Sequence, residues 1–138
     1  WQYEYLNTNV SFYSKLSTPY NEIYNKSTKN VNYLQEVDKE LIVPVNKKIR
    51  FLLTSNDVLH AWWVPDLALK KDAIPGYINE MSVVINEPGV YRWRCAELCG
   101  RHHGFMPIVI KAVEEKEYEE WLANAEKAKT SDVAKINK

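Results

Sequence analysis

The sequence lacks an excess of charge of either sign and lacks any long apolar run. Eighteen lysine and arginine residues balance eighteen aspartate and glutamate residues, so no overall field would draw the chain to nucleic acid or to an anionic membrane. No apolar stretch approaches the roughly 20 residues that a membrane-spanning helix needs. Only two cysteines are present, and one pair suits a disulfide, a metal site or a reactive thiol. Their spacing therefore has to decide.

The length and the apolar patterning fit one domain. A chain of 138 residues can bury a core without disulfides. Short runs rich in β-branched and aromatic residues alternate with turn signals, of which 86–89, Asn-Glu-Pro-Gly, is a strong one. These runs predict strands at 41–45, 48–55, 81–85, 90–94 and 107–113. The sequence therefore predicts an all-β fold, an antiparallel sandwich or barrel spanning 1–138.

The two flanks differ from this central region. Residues 6–40 are polar and without sustained periodicity, which predicts a long connection with short strands. In the C-terminal segment, Tyr118, Trp121, Leu122 and Ala125 share one helical face. We therefore expect an amphipathic helix over 114–129, followed by a frayed tail. Because the chain opens on Trp1 without a methionine, we also expect it to be part of a longer polypeptide.

The chemistry of the sequence is concentrated in one loop between the last two predicted strands. Cys95, Cys99, His103 and Met106 all fall within it, and His60 lies upstream, on what we interpret as the loop after the strand ending near residue 55. Thiolate together with thioether selects copper over harder ions. Five side chains exceed one tetrahedral ion, so the economical solution is two coppers bridged by both thiolates, each with one histidine.

Less specific interpretations compete with this one. The cysteines could form a structural disulfide, or Cys95 and Cys99 with His60 and His103 could hold zinc, although zinc rarely takes methionine. The spacing favours His103 over its neighbour His102, which we interpret as a solvated or hydrogen-bonded side chain.

At this point the sequence resembles the CuA domain of cytochrome c oxidase subunit II. The similar segments are DVLHAWWVP, KKDAIPG, CAELCGRHHGFMP with the following PIVI, and YEYL near the start. The resemblance implies a cupredoxin-like Greek-key β-barrel with the C-terminal helix, normally preceded by a transmembrane hairpin. It also implies that the metal ligands are His60, Cys95, Glu97, Cys99, His103 and Met106.

The resemblance assigns a role to each of these positions. Cys95 and Cys99 would bridge the coppers, the two histidines would be terminal ligands, and Met106 would be a weak ligand. Glu97 would contribute its main-chain carbonyl, and its carboxylate would help to hold a magnesium ion at the boundary with subunit I.

The resemblance further implies an electron-transfer subunit of a respiratory oxidase. Cytochrome c would donate electrons, and subunit I would reduce dioxygen at its haem and copper. The domain would lie on the periplasmic side of the plasma membrane in a bacterium, or on the intermembrane-space side in a mitochondrion. Asp57, Asp66 and Asp72 are candidates for docking a basic cytochrome c, and Trp62 or Trp63 could either pack over the site or face a partner.

Three related protein classes are weaker matches. The CuA domain of nitrous-oxide reductase lacks the DAIPG and PIVI segments, and the related subunit of quinol oxidases lacks the copper ligands. A copper chaperone of thioredoxin-like fold would place its histidine after the cysteines and would show βαβ alternation. Here His60 comes first and the pattern is β-rich.

Overall fold

The computed structural model describes residues 1–136, with side chains described through residue 129. The strands are β1 Gln2–Glu4, β2 Ser11–Tyr13, β3 Leu41–Pro44, β4 Lys48–Leu53, β5 His60–Val64, β6 Leu69–Ala73, β7 Asn79–Val84, β8 Gly89–Arg94 and β9 Pro107–Val113. The helices are α1 Tyr20–Ile23 and α2 Glu115–Ile136, and 3-10 turns occupy Pro65–Leu67 and His103–Phe105. All five predicted strands are confirmed, as β3, β4, β7, β8 and β9.

The strands surround a single apolar core. β9 is central, since it pairs parallel to β3 and antiparallel to β8. The antiparallel pairs β4–β7 and β5–β6 complete the wall, with β5 beside β8 and β6 beside β7. Val64, Ile108 and Ile110 are fully buried within this wall.

The prediction of a purely antiparallel arrangement is wrong for one pair. β3 and β9 run parallel, with Leu41 opposite Ile110. Parallel neighbouring strands need a long connection. Here the connection between β3 and β9 contains strands β4 to β8. Turn sequences predict only the pairing of strands that follow one another along the chain, so they could not predict the pairing of β3 with β9.

Three strands were not predicted, namely β1, β5 and β6, and of these β5 carries the candidate ligand His60. β5 is nearly buried on both faces, so its HAWWV segment shows no alternation of apolar and polar residues. β6, with the sequence LKKDA, is too charged to be recognised as a strand. His60 is therefore the first residue of β5 and does not lie on a loop.

The N-terminal segment closes the outer edge of β3. The Tyr5 hydroxyl donates to the Ile42 carbonyl at 2.7 Å and accepts from the Ile42 amide at 2.9 Å. One side chain thus satisfies backbone groups that an edge strand would leave unpaired. Where short strands were predicted over 6–40, the region contains one strand, β2, and the short helix α1, which was not predicted.

The C-terminal helix is confirmed, but its predicted end is wrong. It continues to Ile136, so residues 130–136 of the expected tail are helical, whereas 137 and 138 lie outside the described residues. No glycine or proline interrupts this stretch, and propensity alone allows the helix to continue. Trp121 of the predicted apolar face contacts the Tyr5 ring, with centroids 5.0 Å apart. Among the described residues, no helix combines the length and apolarity needed to cross a bilayer.

Candidate metal centre

His60 is held in a defined orientation at the start of β5. It is buried, with 8% of its surface exposed, and its Nε2 lies 2.8 Å from Asp57 Oδ1. A proton on Nε2 is donated to this carboxylate, which leaves the Nδ1 lone pair facing the Cys95 sulfur at 3.9 Å. Carboxylate partners of this kind orient metal-binding histidines in many proteins.

The loop between β8 and β9 is pinned by backbone hydrogen bonds. At its base the Cys95 amide donates to the Met106 carbonyl at 3.0 Å, and the Ala96 amide donates to the Ala61 carbonyl of β5 at 3.0 Å. Within the loop, Gly100 adopts a φ of +120°, which side chains other than glycine rarely tolerate. The loop is thus tied both to itself and to the strand that carries His60.

The predicted donors converge at the end of the barrel. The Cys95 and Cys99 sulfurs are 3.9 Å apart. Cys99 Sγ lies 3.4 Å from His103 Nδ1 and 3.6 Å from Met106 Sδ. With His60 beside Cys95, the structure brings together all five side chains that the sequence singled out.

Glu97 contributes its backbone and not its side chain to this cluster. Its carbonyl oxygen lies 3.3 Å from Cys95 Sγ, while its side chain is exposed to solvent. The metal-binding role expected for its main-chain carbonyl remains a prediction. The magnesium site expected at the carboxylate remains a prediction.

His102 lies outside the cluster. It is exposed, its Nε2 accepts a hydrogen bond from Arg101 Nε at 3.2 Å, and its ring rests near that of Phe105. The choice of His103 over His102 therefore agrees with the geometry.

The pKa values of Asp57 and Cys99 are shifted in opposite directions. The hydrogen bond from His60 lowers the pKa of Asp57 to about 2, so this carboxylate stays ionised at neutral pH. Burial, followed by the proximity of Cys95, raises the pKa of Cys99 to about 11. Metal binding must therefore displace a proton from this thiol, because only thiolates act as metal ligands.

The donor set fits copper better than the alternatives. Both cysteines are free thiols, which does not support the disulfide interpretation. His60, Cys95 and Cys99 already place their ligand atoms within 4.8 Å of one another. Thioether sulfur beside thiolate and imidazole is typical of copper sites and unusual for zinc.

The contact of Asp57 with His60 was not predicted from the sequence. Asp57 is one of the predicted docking residues, but its carboxylate contacts the His60 ring. The available signal was its position in the 55–57 turn, three residues before the ligand. Trp62 also has a different role, because it is 2% exposed and belongs to the core, whereas Trp63 remains half-buried at the surface.

Replacing Asp57 with alanine is expected to weaken copper binding about tenfold or more, because removing an outer partner of a metal-binding histidine typically costs 10–100-fold. Competition with a copper chelator measures this change. Asp66→Ala is the matched control, since Asp66 is an exposed acid on the 3-10 turn after β5. Equal affinities of the two variants would contradict the orienting role of Asp57.

A β-barrel that brings thiol, imidazole and thioether groups together at the loop between its last two strands has the architecture of a cupredoxin-like domain with a candidate metal site. The family described as "Cytochrome C oxidase subunit II, periplasmic domain" matches residues 1–113. The chain belongs to this family.

Individual relatives agree with this assignment. Cytochrome c oxidase subunit 2 of Oncopeltus fasciatus is 44% identical over 123 residues, which cover 88% of this chain and 52% of that protein. The periplasmic domain of cytochrome oxidase subunit II (CoxB) of Bradyrhizobium japonicum has a TM-score of 0.81 at 38% identity, covering 93% of this chain and 86% of that one. The cupredoxin-like fold is thereby confirmed.

A second solved structure concerns cysteine chemistry in a relative. It is the mixed disulfide intermediate between a thioredoxin-like protein and subunit II of cytochrome c oxidase, with a TM-score of 0.69 at 38% identity, covering 88% of this chain and 79% of that one. This chain spans about half the length of the curated relatives it matches.

Proposed function

We propose that this chain is the electron-transfer domain of a cytochrome c oxidase and that it holds a binuclear copper centre. The observation that carries the proposal is the convergence of two free thiols, two imidazoles and one thioether on one another. The ligands would be His60, Cys95, Cys99, His103 and Met106, with the Glu97 carbonyl.

The arrangement of donors supports two metal positions instead of one. His60 Nδ1 and the Glu97 carbonyl oxygen lie 3.9 Å and 3.3 Å from Cys95 Sγ, and the ligand atoms of His60, Cys95 and Cys99 lie within 4.8 Å of one another. His103 Nδ1 and Met106 Sδ lie 3.4 Å and 3.6 Å from Cys99 Sγ. The two thiols lie between these groups and could hold a pair of copper ions. When bound, the pair would supply a one-electron couple delocalised over both metals.

The protein keeps these donors in place during electron transfer. Backbone hydrogen bonds hold Cys95 to Met106 and hold Ala96 to Ala61, and the Asp57 carboxylate fixes the His60 ring. Restrained ligands change little in position when the charge changes, which lowers the reorganisation cost. This rigidity suits a domain that passes electrons to a separate site of oxygen reduction.

The proposed partners follow from the family. Cytochrome c would donate the electrons, and subunit I would receive them at its haem and would bind the magnesium ion with Glu97. The domain would face the periplasm or the mitochondrial intermembrane space, with the membrane contacted through segments outside this chain.

Electron paramagnetic resonance of the oxidised, copper-loaded domain tests the proposal, with copper per chain measured on the same sample. We expect hyperfine splitting from two equivalent copper nuclei at two coppers per chain. Splitting from one nucleus, or the absence of copper uptake, would refute the binuclear centre.

Acidic side chains on the β5–β6 hairpin are expected to guide a basic cytochrome c. Asp66 and Asp72 are exposed, and neither takes part in an ion pair among the described residues. Reversing both charges to lysine should slow association roughly tenfold at low ionic strength and weaken its salt dependence, because rim charges act mainly on the association rate. Stopped-flow reduction of the copper-loaded domain by cytochrome c measures this rate.

Glu114→Lys with Glu119→Lys is the matched control, since both are exposed acids outside the hairpin and neither takes part in an ion pair among the described residues. If both double variants slow association equally, the effect comes from net charge and the docking assignment is wrong.

A further inference from the structure

Two tryptophans with flanking cations form a surface feature on β5 and β8, the strands that carry or lead into candidate metal ligands. Trp63 of β5 and Trp93 of β8 meet edge to face, with ring centroids 5.4 Å apart. Lys70 Nζ lies 5.2 Å from the centroid of the Trp63 ring, and the Arg94 guanidinium lies 5.4 Å from that of Trp93. We call the residues Trp63, Lys70, Trp93 and Arg94 the cationic tryptophan surface.

The cations of this surface form no ion pair with any of the described residues. Neither Lys70 nor Arg94 belongs to any ion pair in the part of the chain that the structure describes. Nearby on β8, the buried Nε of Arg92 also has no hydrogen-bond partner among those residues. Contact with an aromatic face contributes only about 0.5–1 kcal/mol at exposed sites and does not use up the N–H donors. These donors remain available to an anion.

Packing alone does not account for the surface. Trp63 and Trp93 are both half-buried, and Lys70 is exposed. They therefore keep solvent-facing area, unlike Trp62 on the same strand, which is 2% exposed. Exposed tryptophan combined with arginine is enriched at the centres of protein contacts, where these residues contribute most of the binding energy.

The chemistry of the surface favours a carboxylate-bearing protein over a membrane. The planar guanidinium of Arg94 matches a carboxylate in two-point hydrogen bonding. Recognition of anionic lipid usually needs a cluster of four to eight basic residues, whereas Asp66 and Asp72 lie on the same hairpin as Lys70 and limit the positive area. A small positive patch with two indole rings fits an acidic protein contact.

The surface adjoins the metal ligands along the chain. Arg94 directly precedes Cys95, and Trp63 lies three residues after His60 on β5. We propose that the cationic tryptophan surface is a docking site for a protein partner that presents carboxylates, and that docking places this partner against the metal centre. Such a partner differs in charge from a basic cytochrome c.

The test uses the copper-loaded domain in its reduced, diamagnetic state. The probe is a synthetic peptide of alternating glutamate and serine, and binding is followed by the indole N–H signals in nuclear magnetic resonance, assigned with Trp63→Phe and Trp93→Phe. We expect saturable shifts of these two signals. Lys70→Glu should weaken binding about tenfold, whereas Lys26→Glu, the same charge change at an exposed lysine after α1, should leave the affinity unchanged.

Each other outcome would overturn the proposal. Equal weakening by Lys70→Glu and Lys26→Glu would show attraction by net charge only. Shifts confined to other tryptophans would place the contact elsewhere. Binding that depends on Lys70 to vesicles of equal parts phosphatidylglycerol and phosphatidylcholine, without peptide binding, would identify a lipid surface instead. Because the readout is indole signals, failure here would leave the proposed electron-transfer function untouched.

Discussion

Replacing Cys99 with serine is expected to abolish the two-copper spectrum of the loaded domain. Cys99 Sγ is the centre of the donor cluster, 3.9 Å from Cys95 Sγ, 3.4 Å from His103 Nδ1 and 3.6 Å from Met106 Sδ. A serine hydroxyl stays protonated and is a hard donor that cannot replace a bridging thiolate. Copper content should fall from two per chain to one or none, and any remaining resonance should show splitting from a single nucleus.

Met106→Leu is the matched control for this experiment, because it removes a neighbouring sulfur that is not proposed to bridge. It should keep two coppers and the two-nucleus splitting while shifting the reduction potential, since a weak axial ligand tunes the potential of such sites. Circular dichroism of both copper-free variants verifies the fold. A Cys99→Ser domain that retains the two-nucleus pattern would rule out the bridging role.

Replacing Trp62 with alanine should lower the free energy of unfolding by about 3–5 kcal/mol, the usual cost of removing a large aromatic side chain from a core. Trp62 is 2% exposed, and its ring packs on Phe51 with centroids 5.1 Å apart. Its Nε1 donates to the Tyr3 hydroxyl at 3.2 Å, so the substitution also removes a hydrogen bond from a buried phenol. Denaturant unfolding of the copper-free domain measures the change without a contribution from bound metal.

The adjacent Trp63→Ala variant is the comparison for Trp62→Ala. Trp63 is half-buried, so truncation exposes less apolar surface and leaves no enclosed cavity. We expect a loss well below that of Trp62→Ala. Comparable losses for the two variants would contradict the assignment of Trp62 to the core and of Trp63 to the surface.

The ligand loop could be predicted from sequence because its donors are close along the chain. Cys95, Cys99, His103 and Met106 fall within one connection between two recognisable strands. A short loop anchored at both ends restricts how far its side chains can separate, so spacing and donor type together predicted a shared metal site. The five strands with strong β-branched and aromatic character were predictable for a similar reason, since their signal is local.

His60 shows where sequence reasoning was incomplete. Its identity as a donor was predicted, but not its place at the start of β5 or its hydrogen bond to Asp57. β5 was not predicted because a strand that is buried on both faces lacks the usual alternation of apolar and polar residues. The function of Asp57 depends on its contact with His60 across a turn. Asp66 has the same side chain without that contact, so residue type alone could not distinguish the two.

The sequence by itself determined the β-rich class and the existence of a C-terminal helix, and it predicted the donor set and its preference for copper, because each rests on residue chemistry or short-range spacing. Tertiary structure alone decided the parallel pairing of β3 with β9, the separate environments of Trp62 and Trp63, and the approach of His60 to Cys95. Those features depend on which distant segments meet when the core closes, and burial and pairing between remote strands are properties of the whole fold.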